Sequence, residues 1–183
     1  MSLLIQYTIL YASVLILVAL GGCFSEHSGV INLGLEGIMV MGALGGALTM
    51  KYLDGSSPAT IVILTIIAAA VTGLAFSALL AVACINFKAD QTIVGTALNM
   101  LGLAAATVIV KAINTAESPD NVSATVQYIA QKKAFLVNIG DFTFNWMMLV
   151  ALVILVAAYI ILYKTRFGLR LMACGEHPQA ADS

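Results

Sequence analysis

Four stretches of nearly continuous apolar residues limit what this chain can fold into: Leu3–Gly22, Pro58–Ile85, Thr92–Val110 and Trp146–Tyr163. A helix needs about 20 apolar residues to cross a hydrocarbon core of ~30 Å, and each stretch is close to that length or beyond it. Lipid supplies no hydrogen bonds, so spanning backbone must satisfy its own, which favours helix here. The first stretch carries only Gln6, Thr8 and Ser13 as clearly polar side chains, and the last has Trp146, Tyr159 and Tyr163 suited to interfacial anchoring. Composition agrees: 61% of residues are hydrophobic and 9% charged, where soluble domains run near half and about a quarter. The expectation is an all-α, polytopic transmembrane helical bundle of about five apolar segments, without a sheet and with membrane lipid as its solvent.

The fifth segment is the irregular one. "SEHSGVINLGLEGIMVMG", Ser25–Gly42, brings two glutamates, a histidine, an asparagine and four glycines between apolar runs. From Ile38 to Met50 there are 13 apolar or small residues, about 20 Å of helix at ~1.5 Å per residue, too short to cross alone. The missing length must come from the glycine-rich residues before it. A second segment that is broken or re-entrant is therefore expected, with regular helix interrupted over Ser28–Gly37. Irregular backbone at membrane depth is tolerated only against protein or a water-filled cavity, so this stretch should line something.

The longest polar segment, Asn114–Asn145, should lie in water or along an interface, with Val122–Ala134 as a candidate short surface helix. Its "NVS" at Asn121 matches a glycosylation sequon, a pattern common by chance. No Lys or Arg precedes Lys51, so the start lacks the basic region of a secretory leader and is expected to be a retained span. If every segment crosses, Lys88, Lys164, Arg166 and Arg170 face Lys51, Lys111, Lys132 and Lys133, four against four. The dense "YKTRFGLR" cluster tips the orientation toward a cytoplasmic carboxyl end and an outside amino terminus.

Candidate polar sites are few. Glu26 is either a solvated residue at a span end or a functional one. Glu36, followed at once by "GIMVMGALGG", suits a pathway or a helix-packing role, because an ionisable group within a membrane is costly and faces a cavity or a partner. Asn32 and Asn99 suit hydrogen bonds between helices, and with Gln91 and Thr96 they make a polar face. Gly42 and Gly46 form a small-xxx-small pair that permits close helix contact. Cys23, Cys84 and Cys174 are odd in number and far apart, so neither a disulfide framework nor a metal site is expected. No GxxxxGK[ST] loop occurs, and His27 and His177 belong to no HExxH or triad, so enzyme chemistry finds no support. The formal net charge of −1, with no basic run, points to no nucleic-acid partner. At the carboxyl end, "GEHPQ" is turn-prone and Pro178 suits the first turn of a short helix.

Together these stretches resemble a known family. "TRFGLRLMACGEHPQAAD" is similar to the cytoplasmic coupling segment of ABC-importer permeases for sugars, nucleosides and branched-chain amino acids. "GGCFSEHSGVINLGLEGIMVMGA" and "FKADQTIVGTALNML" resemble the nucleoside and simple-sugar branch, and the likeness spans nearly the whole chain in order. It implies a permease subunit of the cell inner (plasma) membrane that translocates a nucleoside or simple sugar. Its partners would be cytoplasmic ABC ATPases, a second permease subunit (a copy or a paralogue) and an extracytoplasmic solute-binding protein. The subunit itself would hold no cofactor, with ATP bound by the partner subunits.

Carried over to this sequence, Ser25, Glu26, Ser28, Gly29, Asn32, Gly34, Glu36 and Gly37 fall in the signature that begins the translocation domain, to which Gln91 and Asn99 add polar groups. Gly175, Glu176, His177, Pro178, Ala180 and Ala181 fall in the coupling region, within a cytoplasmic segment 164–183. Family members continue past "AAD" with a Gly-Ile pair and further spans, so residues 1–183 are expected to be the amino-terminal portion of a longer, here truncated, permease domain. A non-transporting membrane scaffold is the alternative, since half a permease need not enclose a path.

Overall fold

The computed structural model describes residues 2–53, 57–126, 130–139 and 142–181. In chain order the helices are α1 (Ser2–His27), α2 (Leu35–Tyr52), α3 (Pro58–Ile85), α4 (Gln91–Glu117), α5 (Met147–Lys164), α6 (Arg166–Glu176) and α7 (Pro178–Ala181). Of these, α1, α3, α4 and α5 are long and apolar enough to cross a membrane. With α2 they account for the five expected segments.

The chain divides into two compact units, residues 1–32 with 135–183, and residues 33–134. In the second unit α2 packs against both α3 and α4. Glycines on α2 let α3 come close: a Cβ added at Gly42 would lie 3.2 Å from the Ala69 carbonyl oxygen, and one at Gly46 would lie 3.3 Å from the Ala69 Cβ. The small-xxx-small pair is thus a packing seam. On α4 the buried residues Gly95, Leu98, Gly102, Ala106, Val110 and Asn114 recur every three or four positions, one stripe of a helix. Leu98 joins Phe76 and Leu80 in one apolar cluster, and Ala106 and Val110 join Leu44 in another. Short polar links stop and restart the helices. Ser57 accepts from the Thr60 N–H ahead of Pro58, and Asp90 accepts from the Thr92 and Ile93 N–H groups, so α3 and α4 both begin on a side-chain cap.

In the first unit α1 runs beside α5, which turns at Thr165 into α6. The Thr165 hydroxyl donates to the Ile161 carbonyl at 2.5 Å and accepts from the Gly168 N–H at 3.3 Å, closing one helix and opening the next. Ahead of α5 lies a two-stranded antiparallel hairpin, β1 (Leu136–Ile139) and β2 (Phe142–Asn145), with Leu136 opposite Asn145 and Ile139 opposite Phe142.

That hairpin corrects the expectation of no sheet. "LVNI" and "FTFN" are strand-forming residues separated by two positions, a hairpin pattern that the polar character of the whole segment obscures. The surface helix expected over Val122–Ala134 is not formed as such. Residues 118–126 are irregular, Ala130–Phe135 is a 3-10 helix, and 127–129 lie outside the described residues. Irregular backbone there is pinned from α4: the Asn114 side chain, only 1% exposed, donates to the Ser123 and Thr125 carbonyls, each at 2.9 Å.

Candidate functional site

Regular helix is interrupted within the signature, over a shorter stretch than expected. It stops at His27 and resumes at Leu35, so Ser28–Gly34 is the irregular link and Gly37 is already helical. Because α2 takes in Leu35–Gly37 at one end and Lys51–Tyr52 at the other, it reaches 18 residues, about 27 Å at ~1.5 Å per residue. The 26 residues of α1 precede the interruption as one continuous helix.

The end of α1 is a built turn. The Gly29 N–H donates to the Glu26 carbonyl at 3.0 Å, and the Val30 N–H donates to the Ser25 carbonyl at 3.2 Å. This pairing wraps the last carbonyls of a helix and needs a left-handed residue between them. Gly29 supplies it with φ +79°. The Ser25 hydroxyl adds a bond to the Val30 carbonyl at 2.8 Å, and the Ser28 hydroxyl donates to the Ser25 carbonyl at 2.6 Å. His27 fastens the turn sideways. Its Nδ1 lies 2.8 Å from the Cys23 carbonyl, which requires a proton on that nitrogen, and its Nε2 lies 3.4 Å from the Tyr163 hydroxyl on α5. The two rings meet edge to face, with centroids 6.0 Å apart.

The same turn meets the coupling region. A Cβ added at Gly29 would lie 3.1 Å from the Gly175 Cα. One added at Gly175 would strike the His27 carbonyl oxygen and come within 3.0 Å of the Gly29 nitrogen. Beside this contact Glu26, His27, Met172, Gly175 and Glu176 line a cavity of about 280 Å³. The six expected coupling residues therefore divide. Gly175 packs inward on α1, while Glu176, His177, Pro178 and Ala181 are exposed. Pro178 opens α7, as its fixed φ favours, and the His177 N–H closes α6 on the Ala173 carbonyl at 3.0 Å. The side chain of Ala180 and residue Asp182 lie outside the described residues.

In the second unit the start of α2 is held from α4. Its N-cap residue, Gly34, has no side chain with which to accept a bond. Asn99 does that work from another helix: its Oδ1 accepts from the Gly37 N–H at 2.8 Å, and its Nδ2 donates to the Leu33 carbonyl at 2.6 Å. Glycines allow the approach. A Cβ at Gly37 would sit 2.5 Å from the Leu98 carbonyl oxygen, one at Gly102 would sit 2.8 Å from the Gly37 Cα, and one at Gly95 would sit 3.0 Å from the Gly34 nitrogen. Glu36 stands exposed in the first turn of α2, where a carboxylate complements the helix dipole. Gln91 opens α4 directly after its Asp90 cap.

The structure thus joins Gly34, Gly37 and Asn99 in one clasp, and places Ser25 and Glu26 in the α1 cap, with Asn32 following in the irregular link. Sequence reasoning missed the Gly29–Gly175 contact, the His27–Tyr163 pair and the buried Asn114. The first had a signal, since both glycines lie in the two most distinctive motifs. The other two depend on contacts between distant residues.

Fold and site together define a polytopic membrane protein whose last described helices form a short polar appendage after a span. The family described as branched-chain amino acid transport system / permease component matches residues 4–183, and the chain belongs to that family of inner-membrane permeases. Among relatives, the guanosine ABC transporter permease protein NupQ of Bacillus subtilis is 38% identical, covering 100% of this chain and 59% of its own length. The nucleoside ABC transporter permease protein NupC of Lactococcus lactis is 34% identical, over 100% of this chain and 59% of its own. A relative from Haloferax volcanii, whose name gives a glucose ABC transporter permease as a provisional assignment, is 31% identical over 98% of this chain and 54% of its own. The chain therefore spans rather more than half the length of the curated relatives it matches. No solved structure matches it.

Proposed function

We propose that this chain is the amino-terminal portion of an ABC-importer permease subunit that passes a nucleoside across the membrane, with simple sugars the second substrate class. The observation that carries this reading is similarity along the whole chain to two relatives named for guanosine and nucleosides. ATP is held and hydrolysed by partner ATPases, and this subunit does no covalent chemistry on the solute. A second permease subunit completes the path, and a solute-binding protein delivers from outside. The dense basic run Lys164–Arg170 favours a cytoplasmic position for α6 and α7, where the exposed Glu176, His177, Pro178 and Ala181 dock an ATPase. Ser25, Glu26, Asn32, Gly34, Glu36, Gly37, Gln91 and Asn99 belong to or support the pathway. In that role the exposed Glu36 carboxylate, at the start of the helix that follows the interruption, is available to a polar solute.

Labelled-nucleoside uptake by cells carrying the full-length gene with its ATPase and binding protein tests this reading. Unlabelled nucleosides should compete and simple sugars should not. Displacement by a sugar would move the substrate class. Absence of uptake for either class, with all subunits present, would favour a non-transporting scaffold.

A further inference from the structure

We infer that the Gly29–Gly175 contact is the link through which the coupling segment acts on the signature, with Gly175 a positioning residue that faces α1 rather than the ATPase. The inference rests on the reading of α6 and α7 as an ATPase-docking element and adds where that element delivers its motion. Three observations meet at one place. Gly175, at the end of α6, touches the α1 cap backbone to backbone, and a single methyl on it would strike the His27 carbonyl. Gly29 sits at φ +79°, in a turn closed by the Ser25 and Glu26 carbonyls, so the cap moves as one piece or opens. His27 also reaches Tyr163, two residues before the Thr165 cap of α6, so the same turn is tied to the last turn of α5 as well as to the far end of α6.

The exposed Glu176, His177, Pro178 and Ala181 follow this contact within six residues, so one short segment has a docking face and, at Gly175, an inward one. From Val30 the chain runs on to Gly34, the N-cap of α2. A displacement of α6 at its far end is thereby passed to the first residues of the signature without any side-chain intermediary. A contact between two backbones suits this use, because neither partner can yield by rotating a side chain, so one must move when the other does.

The test uses the full-length permease with its ATPase and binding protein in liposomes. Gly175→Ala should leave the ATPase bound and hydrolysing while solute uptake falls about tenfold. Ala181→Asp, on the exposed face, should instead release the ATPase on purification. If Gly175→Ala transports within twofold of the parent while Ala181→Asp loses the ATPase, the link is wrong and the docking reading stands. If Ala181→Asp keeps both ATPase and uptake, the docking reading falls and the link falls with it. Should Gly175→Ala fail to insert, the native contact is read directly. With Cys23, Cys84 and Cys174 replaced by serine, a Ser28→Cys thiol should react with a maleimide at a rate that changes severalfold when ATP is added. In the Ala181→Asp background that change should vanish. An ATP-independent rate with Gly175 intact overturns the inference.

Discussion

The α2–α4 seam and the α1–α6 junction both press glycine backbone against backbone, yet they are fastened in different ways. At the seam, Gly37 and Gly102 meet within a buried stripe, and the Asn99 amide closes two hydrogen bonds onto the α2 entry. At the junction, Gly29 and Gly175 meet by van der Waals contact, and the nearest cross-helix polar pair is His27 with Tyr163 at 3.4 Å. A hydrogen bond between membrane helices contributes only about 0.6 kcal/mol on average, but an unsatisfied backbone group in lipid costs several. Removing the Asn99 bonds therefore costs more than their presence suggests, whereas the junction can part without orphaning a donor. The first arrangement holds one geometry; the second permits two.

Substitutions can break or sharpen that contrast. The largest effect is expected for Gly37→Ala, because the added methyl meets the Leu98 carbonyl and the α4 backbone cannot turn aside. Thermal unfolding of the full-length protein in detergent should show a loss of about 3 kcal/mol. Asn99→Ala should cost about 2 kcal/mol in the same assay, since it leaves the Gly37 N–H unpaired. Asn99→Asp, which keeps the acceptor, should recover part of it. Gly175→Ala should cost only about 1 kcal/mol, because the far end of α6 can swing aside, while its effect on uptake is large. A stability loss at Gly175 equal to that at Gly37 would erase the contrast. The smallest effect is expected at the Lys51–Glu117 ion pair, 2.6 Å long. With the Glu117 side chain 45% exposed, Glu117→Gln should change stability by only about 0.5 kcal/mol, less at high salt.

Much of this architecture is legible in the residues. Span length alone places α1, α3, α4 and α5, and the shortness of Ile38–Met50 requires helix to begin earlier, as it does at Leu35. Pro178 marks the start of α7 because its ring fixes the backbone that a helix needs first. Other features depend on partners far along the chain. Asn99 reads as a polar residue on a helix face, and its role as a cap for α2 appears only once Leu33, 66 residues away, is beside it. The hairpin before α5 was hidden because its alternating residues sit inside a segment judged by average polarity. Gly29 and Gly175 each carry a local reason to be glycine, in a turn and near a helix end, which masks the contact between them.

The contrast between a fixed clasp and a movable link is tested most directly by hydrogen exchange on the full-length permease assembled with its ATPase, with and without ATP. The account predicts that exchange at the Gly29 and Val30 amides, whose acceptors are the α1 cap carbonyls, shifts about tenfold with ATP, while the Gly37 amide held by Asn99 stays unchanged. Gly29 and Val30 amides indifferent to ATP, or a Gly37 amide that shifts as much as they do, would contradict it.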